Sequence, residues 1–217
     1  MRDGQRDAGP TVKSTLERWV KSFVFSIVCF SIWGSLTVLR ARALTHAFDW
    51  MELVWLVYNA TVAALFLIRR RPSIVSLEPE HWLVALLTSF SGLFFEKSSA
   101  GLPGTEPVAD GLIFVGLAGA ASTALALGRN YDFLPALRGV TTSWLYGVVR
   151  HPMYVFSILI RLGYVAKHAS VFNVGMFGVM VWLYGCRALF EERILSQDQT
   201  YNQYVGRVRY RFLPGLY

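Results

Sequence analysis

Two stretches of this chain, residues 22–39 and 111–128, contain no charged side chain, and a third, 50–68, contains only Glu52. A helix needs roughly 20 predominantly apolar residues to cross the hydrocarbon core of a bilayer. Backbone amides find no water there, so a spanning segment has to satisfy them within its own helix. The three runs are therefore read as membrane spans. Measured the same way, three weaker candidates follow. Residues 82–95 are short but bordered by His81 and Trp82; residues 152–166 carry one charge, Arg161; residues 169–186 lie just beyond Lys167 and His168. The last two read as a helical hairpin with a tight loop. The expected fold is all-α, a polytopic membrane bundle of five to six helices. Composition agrees, because 16% charged and 54% hydrophobic residues leave less polar surface than the roughly 25% charged side chains of a soluble domain.

Three regions are expected: a cytosolic N-terminal segment 1–21, transmembrane helices over 22–128, and a C-terminal region 129–217. No small-residue cleavage site follows the first apolar run, so the first helix is expected to remain as an anchor. Assigning Arg69, Arg70 and Arg71 to the cytosol fixes the other loops by alternation. Of the 21 Lys and Arg residues, 16 then share that side: five near the N-terminus, three at 69–71, three between 129 and 150, and five in the tail. Such a bias places both termini in the cytoplasm. The formal charge of +7 lies beside hydrophobic segments rather than along one polar face, which argues for membrane lipids and against nucleic acid as its partner. Cys29 and Cys186 sit in apolar stretches, and no Cys/His spacing points to a structural metal.

Two segments do not fit a simple bundle. Residues 129–150, with Tyr131, Asp132, Pro135 and Gly139, are too polar to span and too long for an ordinary helix connection, and long ordered loops are commonly functional. Beyond Arg187, residues Phe190, Ile194, Tyr201 and Tyr204 share one helical face, which predicts an amphipathic helix continuing the last span into the cytosol. The expected topology brings the end of the 129–150 loop, the stretch 187–192 and the tail to the same membrane face. His151 and Pro152 stand where the hairpin begins, and a helix start leaves N–H groups able to bind an anion. Tyr146 and Tyr154 offer aromatic faces to a flat base or a cation. Arg187 and Glu191, four residues apart, project from one side of a helix, with Glu192 elsewhere around it. Read alone, His151 as a cap and Arg187–Glu191 as a surface pair are the simpler explanations.

In these residues the sequence resembles the membrane-bound isoprenylcysteine carboxyl methyltransferases and their bacterial relatives, which also look like the phospholipid N-methyltransferases. The resemblance covers roughly 127–217. Its carriers are Leu127, Gly128 and Arg129; the segment from Tyr146 through Arg150, His151, Pro152, Met153 and Tyr154; the Arg187, Glu191, Glu192 pattern; and the closing Tyr201, Tyr204, Tyr210, Pro214 and Gly215. The resemblance implies that S-adenosylmethionine is contacted by Tyr146, His151, Pro152, Met153, Tyr154 and Glu191, with residues 138–141 nearby and Arg187 facing a lipid-like or isoprenoid acceptor. Phe156 and Trp144 depart from it, standing where glycines are usual, and are expected to add bulk to the pocket.

The implied reaction is in-line attack on a sulfonium methyl, helped by alignment and exclusion of water. A carboxylate acceptor needs no base, whereas an amine calls for one, with His151 or Glu192 as candidates. Arg161, about ten residues beyond His151, is expected to snorkel toward a headgroup and stays outside the site. The arginines at 69–71 are read as a topology signal. Two alternatives stand beside methyl transfer: an NADPH-dependent sterol-type reductase on a related scaffold, and a non-catalytic membrane protein of the same fold.

Overall fold

The computed structural model describes residues 12–76, 78–98, 101 and 104–215, with side chains from residue 23 onward. Residues 1–11, which hold Arg2 and Arg6 of the expected N-terminal segment, lie outside the described residues, as do the side chains of Lys13, Arg18 and Lys21. Among the described residues the chain is helical, apart from one two-stranded ribbon and the loops around it. Helix α1 runs Val12–His46 and α2 runs Trp50–Ile68. Asp49 accepts the Met51 N–H at 2.9 Å and so caps α2, in the manner typical of a short acidic side chain at a helix start. Helix α1 outruns the expected 22–39 because Arg40 does not end it. Its guanidinium reaches Glu52 on α2 at 2.6 Å and lies over the Trp55 ring.

Helix α4 (Glu106–Leu127) opens with proline in its first turn and closes at Gly128, whose φ of 52° turns the chain sharply. Helix α6 (Val171–Leu195) is capped by Ser170, which accepts from Asn173 N at 3.0 Å. Together with Phe23–His46 of α1 and with α2, these make four helices long and apolar enough to cross a membrane. Their large apolar side chains point outward: Val171 is 94% exposed, Trp182 66% and Val108 66%. In water that surface would be a liability, whereas in lipid it is matched to its surroundings.

Of the shorter expected spans, 82–95 is broken and 152–166 is found to within one residue. Residues 82–95 divide into α3 (Pro79–Ser89) and a separate 3-10 turn at Ser91–Phe94, and α5 (Pro152–Lys167) has 16 residues, about 24 Å at 1.5 Å per residue. Both still connect the two faces of the bundle. His81 of α3 stacks on Phe190 near the end of α6, while Glu96, beyond the 3-10 turn, hydrogen-bonds Asn173 near its start. The tail also departs from expectation. Helix α6 stops at Leu195, and a distinct helix α7 (Gln199–Arg207) begins under the cap of Asp198, which accepts from Thr200 N at 2.7 Å. A short polar side chain preceding Gln199 offers the backbone a fresh start rather than a continuation.

Neighbouring helices follow the order α1, α2, α4, α5, α6, α3, with the most extensive packing between α4 and α5. Glycines make that approach possible. A Cβ on Gly116 would fall 2.6 Å from Ile160 Cγ1, one on Gly163 would fall 2.6 Å from the Ala109 carbonyl, and one on Gly119 would enter the Phe156 ring. Small residues at such seams let backbones approach without polar glue. On one face of the bundle, β1 (Ile74–Val75) pairs antiparallel with β2 (Ala136–Leu137). On that face the tail is fixed to the start of α5: Arg150 and His151 donate their N–H groups to Tyr210 and Arg211 at 2.9 and 2.8 Å.

Candidate active site

The face that carries this ribbon holds a cavity of about 110 Å³ between the 130–141 loop, the beginning of α5, the end of α6 and α7. Tyr146, His151, Met153, Tyr154 and Glu191 line it. Pro152 does not. It is fully buried in the first turn of α5, where it shapes the helix entry. Arg187 lines a second, deeper cavity of about 60 Å³, and Met153 and Tyr154 belong to the walls of both. Residues distant in the sequence thus meet at one place.

Glu191 is the junction. Its carboxylate accepts a hydrogen bond from Tyr154 Oη and another from Arg187 Nε at 3.3 Å. His151 Nδ1 lies 3.9 Å away. Arg187 is 3% exposed, yet every arm of its guanidinium is engaged. It donates to Thr88 Oγ1 at 2.8 Å, Ser89 Oγ at 3.2 Å and the Phe133 carbonyl at 2.5 Å, and it lies over the Tyr154 ring at 5.2 Å. A buried charge is tolerated only with such compensation. The sequence placed Arg187 with Glu191 on one helix; the structure adds that it ties α6 to α3 and to the 131–135 segment.

His151 lies parallel to Tyr154, with 8° between the rings at 5.3 Å. Its Nε2 is 3.1 Å from Glu192. Glu192 points elsewhere around the helix, as anticipated, and does not line the cavity; behind His151 it is also held by Arg150 at 3.1 Å and Arg211 at 3.0 Å. Three such partners keep it a carboxylate and make it a poor proton acceptor. His151 thus turns Nε2 to Glu192 and Nδ1 toward Glu191 and the cavity. Tyr204 closes the wall by donating to the Tyr146 carbonyl at 2.7 Å, and burial pushes its hydroxyl up to about 12. Burial likewise raises Tyr146 well above the usual tyrosine value. Both stay neutral at physiological pH.

Asn130 was not singled out from the sequence, and Asp132, Thr141, Arg150 and Tyr201 were named there only as parts of a loop, a motif or a helix face. Asn130, Asp132, Thr141, Arg150 and Tyr201 all line the outer cavity. Asn130 Oδ1 and Arg150 Nε are buried there without a hydrogen-bond partner, an arrangement that calls for a polar ligand. Arg161 does not snorkel. Its Nε donates to Ser91 Oγ at 3.0 Å, and it lines both the deep cavity and a third one of about 280 Å³. The third cavity shares Trp33, Trp55, Ser89 and Arg161 with the deep one and reaches Leu36 and Leu93, which lie on the lipid-facing surface. A charge inside a span was the available signal for Arg161. The two departures from the resemblance leave the cavity clear. Phe156 packs into the groove at Gly119, and Trp144 is 55% exposed with a φ of 56°, a left-handed conformation that suits glycine.

Away from the cavity, Glu78, Glu80 and His81 bring potential metal-ligating atoms within 4.8 Å of one another at the start of α3. The two glutamates are exposed, and His81 Nδ1 is held by Ser76 Oγ at 2.6 Å.

Comparison with known proteins adds one finding. A family model described as phospholipid methyltransferase matches residues 107–203, from the first turn of α4 into α7. The matched segment holds all of Tyr146, His151, Pro152, Met153, Tyr154, Arg187 and Glu191. No curated protein matches the chain.

Proposed function

We propose, from the premise that residues 107–203 belong with the membrane methyltransferases of the phospholipid methyltransferase family, that this protein transfers a methyl group from S-adenosylmethionine to the carboxylate of a lipid-like or isoprenoid acceptor. The observation that carries the reading is the meeting of two cavities of different character at Met153 and Tyr154. The outer one lies among the loops and carries Glu191, Asn130 and Arg150, and the inner one, lined by Arg187 and Arg161, continues toward the lipid-facing surface.

The outer cavity suits the donor by its chemistry. Glu191 supplies a carboxylate for a cationic ligand, Tyr146, Tyr154 and His151 supply aromatic faces, and Asn130 Oδ1 and Arg150 Nε wait for hydrogen bonds. At about 110 Å³ it is narrower than the roughly 300–1,000 Å³ typical of ligand pockets, so binding has to part the 138–147 loop from α7. Pro152 supports the site by fixing the entry of α5. When bound, S-adenosylmethionine supplies a methyl group on a sulfonium, open to in-line attack.

The acceptor side is argued from charge. Arg187 and Arg161 line the deep cavity, and among the described residues no carboxylate or histidine lines it. Two guanidiniums suit an anionic head and offer an amine neither counter-charge nor base. Arg187 then orients the head beside Tyr154, while the apolar tail lies along the third cavity toward the bilayer. The face that carries the site is taken as cytosolic, because the basic residues gather there and the polar donor arrives from water.

Binding tests the reading directly. Protein in detergent is expected to bind S-adenosylmethionine or its demethylated product by calorimetry, and Glu191→Gln is expected to weaken that binding about 10- to 100-fold, the worth of a charge-assisted hydrogen bond. Absence of binding by the unsubstituted protein removes the proposal. For the acceptor, lipid extracts incubated with enzyme and donor should show a 14-dalton gain on an acidic amphiphile, and Arg187→Lys should raise KM for it. Methylation of an amine headgroup instead would overturn the assignment of acceptor.

A further inference from the structure

Behind the donor cavity, where α2 ends, a separate groove of about 250 Å³ opens between α1 and α2. Four arginines line it, Arg69, Arg70, Arg71 and Arg138, and among the described residues no carboxylate does. Two of them are unusual. Arg69 and Arg138 both bond to Asp132, and the side chains of all three are 4%, 2% and 6% exposed. Arg138 Nε donates to Asp132 Oδ2 at 2.9 Å and Arg69 Nε to Ser26 Oγ at 2.8 Å, while Arg138 also reaches the Arg70 carbonyl. Arg69 and Arg138 thus hold Asp132 between them behind the groove, whose lining among the described residues carries positive charge alone. Arg70 and Arg71, both exposed, add to it at the mouth.

Below the arginines the groove is apolar. Phe23, Ile27 and Leu67 line it, 54%, 49% and 64% exposed on the outer surface of helices that cross the membrane. Charge and grease are therefore stacked along the bilayer normal, in the order of a phospholipid: head above, chains beneath.

We propose that this groove binds one anionic phospholipid of the surrounding leaflet, its phosphate set among Arg69, Arg70, Arg71 and Arg138 and its acyl chains against Phe23, Ile27 and Leu67. Basic recesses between helix ends at the headgroup level fit such lipids. A free phosphate would use the arginines and leave the apolar wall idle, so the wall argues for a lipid. The site is distinct from the acceptor path, which lies on the other side of Phe66 and Tyr131, and it does not depend on the chain being a methyltransferase.

The test is lipid retention. Protein reconstituted in phosphatidylcholine nanodiscs containing phosphatidylglycerol, then released into detergent and weighed by native mass spectrometry, is expected to keep one phosphatidylglycerol and to discard phosphatidylcholine. The double substitution Arg70→Gln with Arg71→Gln, which leaves the buried Asp132 cluster intact, should lower that retention at least tenfold while the melting temperature holds. Phe23→Ser with Leu67→Ser should lower it as well. Equal retention of the two lipids, or undiminished retention in Arg70→Gln/Arg71→Gln, overturns the proposal. So does complete displacement of phosphatidylglycerol by millimolar inorganic phosphate, which would mark an anion site without lipid recognition.

Discussion

Tyr154 and Glu191 stand 37 positions apart in the chain and share a hydrogen bond in the fold. Tyr154→Phe removes the donor but keeps the ring over which Arg187 lies. It is expected to lower donor affinity by roughly tenfold with little change in melting temperature, and calorimetry beside a thermal melt would show the split. Trp144 offers the opposite case. Its φ of 56° costs an L-residue about 1–2 kcal/mol, and its side chain is outside the cavity, so Trp144→Gly is expected to raise stability by about 1 kcal/mol without loss of donor binding; a lower melting temperature would contradict this. Tyr204 gives a pH dependence. Because burial lifts its hydroxyl from the usual 10 to about 12, its stabilising contribution is whole below pH 10 and drains away as pH rises through 12. Unfolding midpoints measured from pH 8 to 12 should fall, and Tyr204→Phe should blunt the fall. At this scale the sequence exposed the titratable groups of the site but not their orphaned partners. Asn130 became visible only through burial, which no local pattern encodes, Arg150 was visible in its motif while its unpartnered Nε was not, and Arg161 was visible as a charge inside a span while its direction was not.

The elements were legible in proportion to their length. Residues 50–68 coincide with α2 because an uninterrupted apolar run between Asp49 and the arginines leaves one solution. The run at 82–95 was misjudged, since hydropathy is blind to the change of winding at Phe90, and the tail was read as one helix because periodicity carried across the Asp198 cap. The seam of α4 with α5 tests how far glycine placement matters. Gly119→Val drives a branched side chain into the Phe156 ring and is expected to destabilise by about 1–3 kcal/mol, as overpacking does. Gly175→Ala on α6, where nothing lies within 4 Å, serves as the control and should be neutral or slightly stabilising. Similar losses at the two positions would deny the seam its role. The departure at Phe156 is accounted for by this seam: the bulk that stands in place of glycine on α5 is received by a glycine on α4.

For the molecule as a whole, the division of the loops between two faces was readable from the placement of basic residues. The structure gathers 69–71, 129–150 and 187–211 on one face, through the β1–β2 ribbon, the Asp132 cluster and the tail pairing. What the sequence could not disclose is the row of hollows that share walls inside, because a void is a property of packing among all the helices at once. That arrangement has a kinetic meaning. If donor and acceptor each use their own doorway, one from solution and one from the leaflet, neither has to precede the other, and the two products depart without crossing paths. Initial-rate patterns should then be those of random addition, with each product competing only against the reactant that shares its doorway. A strict order of arrival would mean that one opening is sealed until the other is filled.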